Sequence, residues 1–501
     1  MALRRRAGQP RSRGRPSLRA QRASGGLAAR RAGPREVVLV SNGPGEVATW
    51  VRTVAAELVA AARDDGDAAA ERRRLRLSVV LAPCPHASGG EGALAASFGG
   101  VDRVQEAADF WRLLRTARGR SADGEEWGAW GRSGVVVFLG GDQLFALLLA
   151  WRLGFRSALY AETDARWCAW AHRYFLRSAD LLGGVPARHR GKCEVVGDLM
   201  MDAALGAGPG SARGRRGGPP TVALLPGSKP VKLELGLPYF LAVADSVRRQ
   251  LGAARFVLPL APTVPLAALQ GYADPARNSL IDRLAWGRGR VEREAGVEGL
   301  PAPDPRRVGR LVTGHGTEVE IWQGAAPPYE LYAGADLCVT TVGTNTAELG
   351  ALGVPMVVAL PTHVLEQFRG AVGGLLGLLM RLPGILGRKI ARLVNAYVVR
   401  RSGRLAWPNR WAGAEIVPEL VGRVEPAEVA AVAVGYLRDG AKLAAMRARL
   451  QTWSARQWAR SGGDGEGKAA ARVASGVLAE VGLAEVGLAE VGFAATANGS
   501  R

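Results

Sequence analysis

The chain has little with which to bind a metal or cross a membrane. Its 501 residues include four cysteines and five histidines. Cys84, Cys168, Cys193 and Cys338 are widely scattered and form no CxxC pair. That excludes a disulfide framework or a zinc ribbon and points to reduced thiols in a reducing compartment. Cys84-Pro85-His86 brings two ligand-type residues together without a partner pair, so a strand-end turn is the better reading. No carboxylate cluster has metal-ligand spacing, and neither a metal nor a cofactor is expected. No run reaches about 18 uninterrupted apolar residues, so no membrane-spanning helix is expected.

Acid is missing from residues 1–35, which carry eleven arginines. The segment also has serine and no long apolar run. That is the composition of a transit peptide and not of a secretory signal. A disordered basic arm for nucleic acid is the competing reading. Beyond residue 35 the balance falls to 55 basic against 45 acidic residues, with no recognised nucleic-acid motif. No nucleic-acid partner is therefore expected. Apolar content of 48% and charged content of 22% suit a folded core with room for two or three domains.

The order of elements carries more information. Glu36 to Val40 reads as a strand, Ser41-Asn-Gly-Pro-Gly45 as a turn and Val47 to Ala62 as a helix. Strands follow at Leu77–Leu81, Gly134–Leu139 and Ser157–Tyr160, with a helix at Leu144–Leu153. Strands alternating with helices imply parallel sheets. Residues 206–220 are rich in Gly, Pro and Arg and read as a linker. A second α/β unit starts at Thr221. The expected fold is α/β, with two Rossmann-like domains over 36–205 and 221–460 facing a central cleft. Residues 267–312 lack clear periodicity and read as an insertion or long loop. Residues 461–501, with their Leu-Ala-Glu-Val-Gly repeats, read as a low-complexity tail.

Two turns in the second unit suit an anion. Val222 to Leu225 is an apolar run ending in Pro226-Gly227-Ser228, with a helix expected over Leu237–Leu251. Leu337 to Thr340 is a strand, Thr341 to Asn345 a turn, and Thr346 to Leu352 a helix stopped by Gly353. Such turns aim backbone N–H groups and a positive helix end at a ligand. Ligands of parallel sheets gather at the strand C-terminal ends. A sugar nucleotide diphosphate fits this chemistry. Asn345-x-x-Glu348 has a second reading as a capping box, with Glu348 closing back on the helix start.

Leu224-Leu-Pro-Gly-Ser-Lys229, the 341–360 segment and Trp407-Pro-Asn-Arg-Trp-Ala-Gly-Ala-Glu-Ile-Val-Pro-Glu-Leu420 resemble lipid-A-disaccharide synthase, a glycosyltransferase of the GT-B fold. Ser41-Asn-Gly-Pro-Gly-Glu46 and Val195-Val-Gly-Asp-Leu-Met-Met-Asp202 extend the resemblance to about 37–455. It is nearest a synthase-related branch of cyanobacteria and plastids, which with the Arg-rich start implies a chloroplast location. The resemblance implies a UDP-sugar donor, a lipid or glycolipid acceptor and metal-independent, inverting transfer. It implies that Glu348 meets the ribose and that Gly343, Thr344 and Asn345 lie near the diphosphate. Pro226, Gly227, Ser228 and Lys229 would form the other wall, with Asn409 near the same pocket and Gly45 on the facing domain. A homodimer is compatible with it. Three positions depart from the family pattern: Lys229 stands where arginine is usual, Phe145 where a second aspartate is, and Asp198 where a histidine is. A UDP-sugar epimerase of similar fold and a non-catalytic UDP- or lipid-binding relative remain open alternatives.

Transfer to a hydroxyl needs a base. Asp142, directly after the buried strand, is the first candidate, and capping of the next helix is its alternative role. Glu46 is second, with helix-dipole complementation as its alternative. Glu162 and Asp164 are third. His86 and His363, just after presumed strands, are further cleft candidates. Residues 369–401 hold seven basic residues and no acid, with interleaved leucines. This pattern suits an anionic membrane surface, or a helix pair with a solvated basic face.

Overall fold

Runs of buried valine and leucine set the two sheets. In this computed structural model the described residues are 34–62, 75–84, 87–205, 218–293, 306–324, 326–362, 403–460 and 468–482. The first sheet comprises β1 (Arg35–Ser41), β2 (Leu75–Leu81), β3 (Arg103–Gln105), β4 (Gly134–Phe138), β5 (Arg156–Ala161), β6 (Arg173–Leu176) and β7 (Cys193–Val195). Their order is β3-β2-β1-β4-β5-β6-β7, and every pairing is parallel. Helices cover both faces, so β1 and β4 are apolar on both sides.

The second sheet comprises β8 (Thr221–Leu225), β9 (Arg255–Pro259), β10 (Gly289–Arg293), β11 (Arg307–Thr313), β12 (Glu318–Trp322), β13 (Leu337–Thr340), β14 (Met356–Pro361) and β15 (Glu419–Gly422). Their order is β10-β11-β12-β9-β8-β13-β14-β15. β10-β11 and β11-β12 are antiparallel, and the rest are parallel. This is the two-domain GT-B arrangement. Helix Leu199–Leu205 joins the halves: Leu199 and Met200 enter the first core, Met201 and Ala204 the second. Among the described residues no helix is long and apolar enough to cross a membrane.

Three expectations need correction. The 267–312 stretch is not an unstructured insertion where it is described. It forms helices Leu266–Ala273 and Leu280–Leu284, then β10 and β11 on the sheet edge. Charge masks the alternation there: Arg310 pairs with both Glu292 and Glu318 on the open face. The helix after Ser228 starts at Pro230 and not at Leu237. Pro230 occupies the first helical position, where its missing N–H costs nothing. Pro238 inside the same helix leaves the Glu234 carbonyl without its usual donor, and Asn278 Nδ2 donates to it at 2.7 Å.

The third correction concerns the C-terminal tail. Ala469–Glu480 is a helix packed into the first domain's core through Val473, Ala474 and Val477. Asp202 accepts from Ala470 N at 2.9 Å, and Glu480 pairs with Arg173 and Arg156. Its apolar residues recur at helical spacing just before the Gly-bearing repeats that suggested disorder. The basic stretch 369–401, His86 and His363 lie outside the described residues, as do residues 1–33 and 206–217.

Candidate active site

β8 and β13 are neighbours in register, with Leu225 opposite Thr340. The two anion-suited turns therefore leave the sheet side by side. After Leu225 the chain reverses through Gly227, whose φ of +106° favours glycine. Lys229 is the N-cap residue of helix Pro230–Leu251. After Thr340 the second turn leads into helix Asn345–Ala351, with Thr344 as its N-cap residue. No side chain caps this helix. The Glu348 carboxylate turns away from the helix start and accepts from Tyr329 Oη at 2.9 Å, so a capping box does not form.

Glu348 is 5% exposed. Burial raises its pKa to about 7, against the Tyr329 hydrogen bond and the Arg52 charge, which lower it. Arg52 belongs to the first domain, so the two halves meet electrostatically at this carboxyl. The turns also meet sterically: a Cβ on Gly45 would lie 3.7 Å from Thr344 Oγ1. Between them lies a cleft. Gly45 and Thr49 line one side; Gly227, Ser228, Thr344 and Glu348 line the other. The first-domain wall begins at Pro44 and continues into a π-helical turn at Val47–Val51. Thr49 Oγ1 donates to Gly45 O there at 2.7 Å. Such turns are frequent at functional sites.

Lys232, one helical turn beyond Lys229, reaches between the two turns. Its Nζ donates to Val342 O at 2.8 Å. A Cβ on Gly343 would fall 2.8 Å from that nitrogen, and one on Gly227 would fall 2.8 Å from the lysine Cδ. Burial and the nearby Lys229 charge lower the Lys232 pKa to about 8, opposed by Glu46. Sequence reasoning missed Lys232, Tyr329, Tyr332 and Arg52. A signal existed for the first: Lys229-Pro-Val-Lys232 has the spacing that puts two side chains on one helix face.

The carboxylates of the first domain divide by environment. Asp142 is exposed and caps helix Gln143–Leu153, accepting from Leu144 N at 3.0 Å. Glu46 folds back over Gly43 and packs beside Gly140 in the turn after β4. Glu162, at the end of β5, is half-buried. Burial, then the Asp198 and Glu46 charges, raise its pKa to about 7, while Arg177 and Arg410 oppose them. Asp164 is exposed and pairs with Arg166 at 3.1 Å. None of these four carboxylates is among the residues that line the cleft.

Two of the three residues that depart from the synthase pattern, Phe145 and Asp198, have structural uses. Phe145 packs edge-on against Phe110 and Trp111, at 5.2 and 5.8 Å. Asp198 caps helix Leu199–Leu205, accepting from Met200 N and Met201 N at 2.9 and 3.2 Å. Asn409 is also fully engaged. Its Nδ2 donates to Val417 O and Glu419 Oε1, both at 2.7 Å, and its Oδ1 accepts from Ile416 N and Val417 N. It fixes the 416–419 loop beside helix Asn345–Ala351 and does not line the cleft.

A different surface of the first domain is rich in exposed indole. Trp151 is 80% exposed, Trp170 73% and Trp111 56%. With Leu144, Leu147 and Trp167 they surround an apolar groove or flank it. Arg152, next to Trp151 in sequence, donates through Nη2 to Arg115 O at 3.0 Å.

No family model matches the chain. It is similar to lipid-A-disaccharide synthases of Anaeromyxobacter. The protein of Anaeromyxobacter sp. (strain K) is 28% identical over 232 residues, 46% of this chain and 43% of that protein. That of Anaeromyxobacter dehalogenans (strain 2CP-C) is 27% identical over the same length. The match spans less than half the length of these curated relatives. Among solved structures, a UDP-N-acetylglucosamine 2-epimerase overlaps 90% of this chain and 97% of its own at TM-score 0.42 and 10% identity. A UDP-glucosyltransferase from Polygonum tinctorium overlaps 90% and 99% at TM-score 0.41 and 13% identity. Overlaps at such TM-scores say nothing of what this chain does.

Proposed function

We propose that the chain is a glycosyltransferase that moves a sugar, of N-acetylglucosamine type, from a UDP-sugar to a lipid-linked acceptor. The observation that carries this reading is the pairing of the Gly227 and Gly343 turns, bridged by cationic Lys232, with buried Glu348 at one interdomain cleft. The similarity to lipid-A-disaccharide synthases supports the choice of a lipid acceptor. In this reading Glu348 accepts hydrogen bonds from the ribose hydroxyls. Gly343, Thr344, Asn345 and Ser228 hold the diphosphate through backbone and hydroxyl donors. The departing UDP gains charge as the glycosidic bond breaks, and fixed donors in a narrow cleft stabilise it without reorganising.

The acceptor hydroxyl loses its proton to a first-domain carboxylate. We assign that role to Glu162, the half-buried carboxylate directly after β5 on which Glu46 and the second domain's Arg410 both act, with a raised pKa near the working pH that suits a base. Asp142 and Glu46 are the alternatives at neighbouring strand ends. The acceptor would be reached from an anionic bilayer surface. The exposed tryptophans support that approach, since indole favours the membrane–water interface.

Incubation with UDP-N-acetylglucosamine and an organellar lipid extract tests the reading, with lipids followed by mass spectrometry. A lipid heavier by one sugar unit should appear together with free UDP. Glu162→Gln should lower that rate by ~10²–10⁴-fold while UDP binding persists. If Asp142→Asn gives the drop instead, the base is Asp142, since asparagine still caps the helix. Conversion of the UDP-sugar without any lipid product would replace the proposal with an epimerase. UDP binding without turnover would leave a binding protein.

A further inference from the structure

Lys232 is a cation without a matching anion. It is half-buried, and among the described residues no carboxylate lies within ion-pair distance of it. Two charges act on it from its surroundings: Lys229, on its own helix, repels it, and Glu46, across the cleft on the first domain, attracts it. An unpaired charge withdrawn from water is costly unless something supplies the missing partner. The ammonium has three donors and spends one on Val342 O.

Its path explains two glycines. The side chain passes Gly227 and ends at Gly343, close enough that a Cβ at either position would press on it. Lys232 thus spans both turns that open on the cleft. Lys229 stays at the N-cap position: its carbonyl accepts from Lys232 N and Leu233 N, while its side chain has no hydrogen bond or ion pair among the described residues. We infer that the Lys232 ammonium is the cationic contact for the nucleotide's diphosphate, and that Lys229 acts only by repelling it. This rests on the proposed reading of the cleft as a UDP-sugar site.

The assignment has a pH consequence. A diphosphate favours the charged lysine, so affinity should fall as pH rises through the lysine's own pKa of about 8. Lys229 and Glu46 are the charges that act on Lys232, and Glu348, with a pKa of about 7, has lost its proton before this range, which leaves the trend above pH 8 to Lys232.

Calorimetric titration with UDP and with uridine tests this on the wild type, Lys232→Met, Lys232→Arg and Lys229→Met. Lys232→Met should weaken UDP binding about 10- to 100-fold, the range for losing a charged hydrogen bond, with uridine binding unchanged. It should also abolish the loss of UDP affinity above pH 8. Its unliganded melting temperature at pH 7 should hold or rise, because an unpaired buried charge is removed. Lys232→Arg should retain most of the affinity, and Lys229→Met should change it less than threefold. A lower melting temperature with an unchanged ratio of UDP to uridine affinity would make Lys232 a structural tie to Val342 and overturn the assignment. A large loss in Lys229→Met with none in Lys232→Met would overturn it too. Failure of the wild type to bind UDP at all would instead sink the reading of the cleft, and this contact with it.

Discussion

Glu348 keeps its proton to a higher pH than a carboxyl in water does, and stability should record this. Its folded pKa is about 7, against an ordinary value of 4.5. Between those values the folded protein holds a proton that the unfolded chain has released. Stability from this group is therefore full below pH 4.5 and is lost as pH rises to about 7. Glu348→Gln should remove that slope, which thermal melts from pH 5 to 7.5 would show. At pH 8 the same change should weaken UDP binding by ~1–3 kcal/mol through the lost charged acceptor. Unchanged affinity at pH 8 would remove Glu348 from the ribose. The two turns, Glu348 and Gly45 were legible because glycine and a first-turn acid leave marks in sequence. Tyr329 was not, because its role depends on a neighbour 19 residues away, and the Lys229–Lys232 spacing marks a shared helix face but not the contact with Val342, 110 residues on.

The helix Ala469–Glu480 shows how a biased segment can hide an ordinary element. Ala469, Ala470, Val473, Ala474 and Val477 form a helical stripe against the first domain's core. Gly476 is required by contact: a Cβ there would lie 2.6 Å from Phe175. Val473→Asp would bury an unpaired charge and should destabilise the first domain by about 4 kcal/mol or more. UDP affinity, which in the proposed reading rests on the second domain's turns and Glu348, should change little. A melting curve identical to wild type would mean that this helix does not pack on the core in solution. The long central strands were readable as apolar runs, and β1, β4, β8 and β13 fall within about a residue of expectation. β3, β6 and β7 were not, because three or four residues carry too little periodicity to stand out. β10 and β11 escaped because an edge open to solvent carries arginine and glutamate on one side.

Across the whole molecule, the cleft and the tryptophan surface present different chemistry. Trp151→Ser with Trp170→Ser should reduce sedimentation with anionic vesicles and spare UDP binding, because neither indole lines the cleft. Equal sedimentation of this variant and the wild type would assign the surface another use. The two-domain plan was legible in the order of strands and turns. The tryptophan surface was not, because sequence gives an indole's position and not its exposure. One further property comes from where the last helix lies. The polypeptide leaves the first domain after Leu205, builds the second, and returns at Ala469. The halves thus share two covalent straps, and a single cut in either strap frees neither. The jaws of the cleft can part only by swings that both straps permit together.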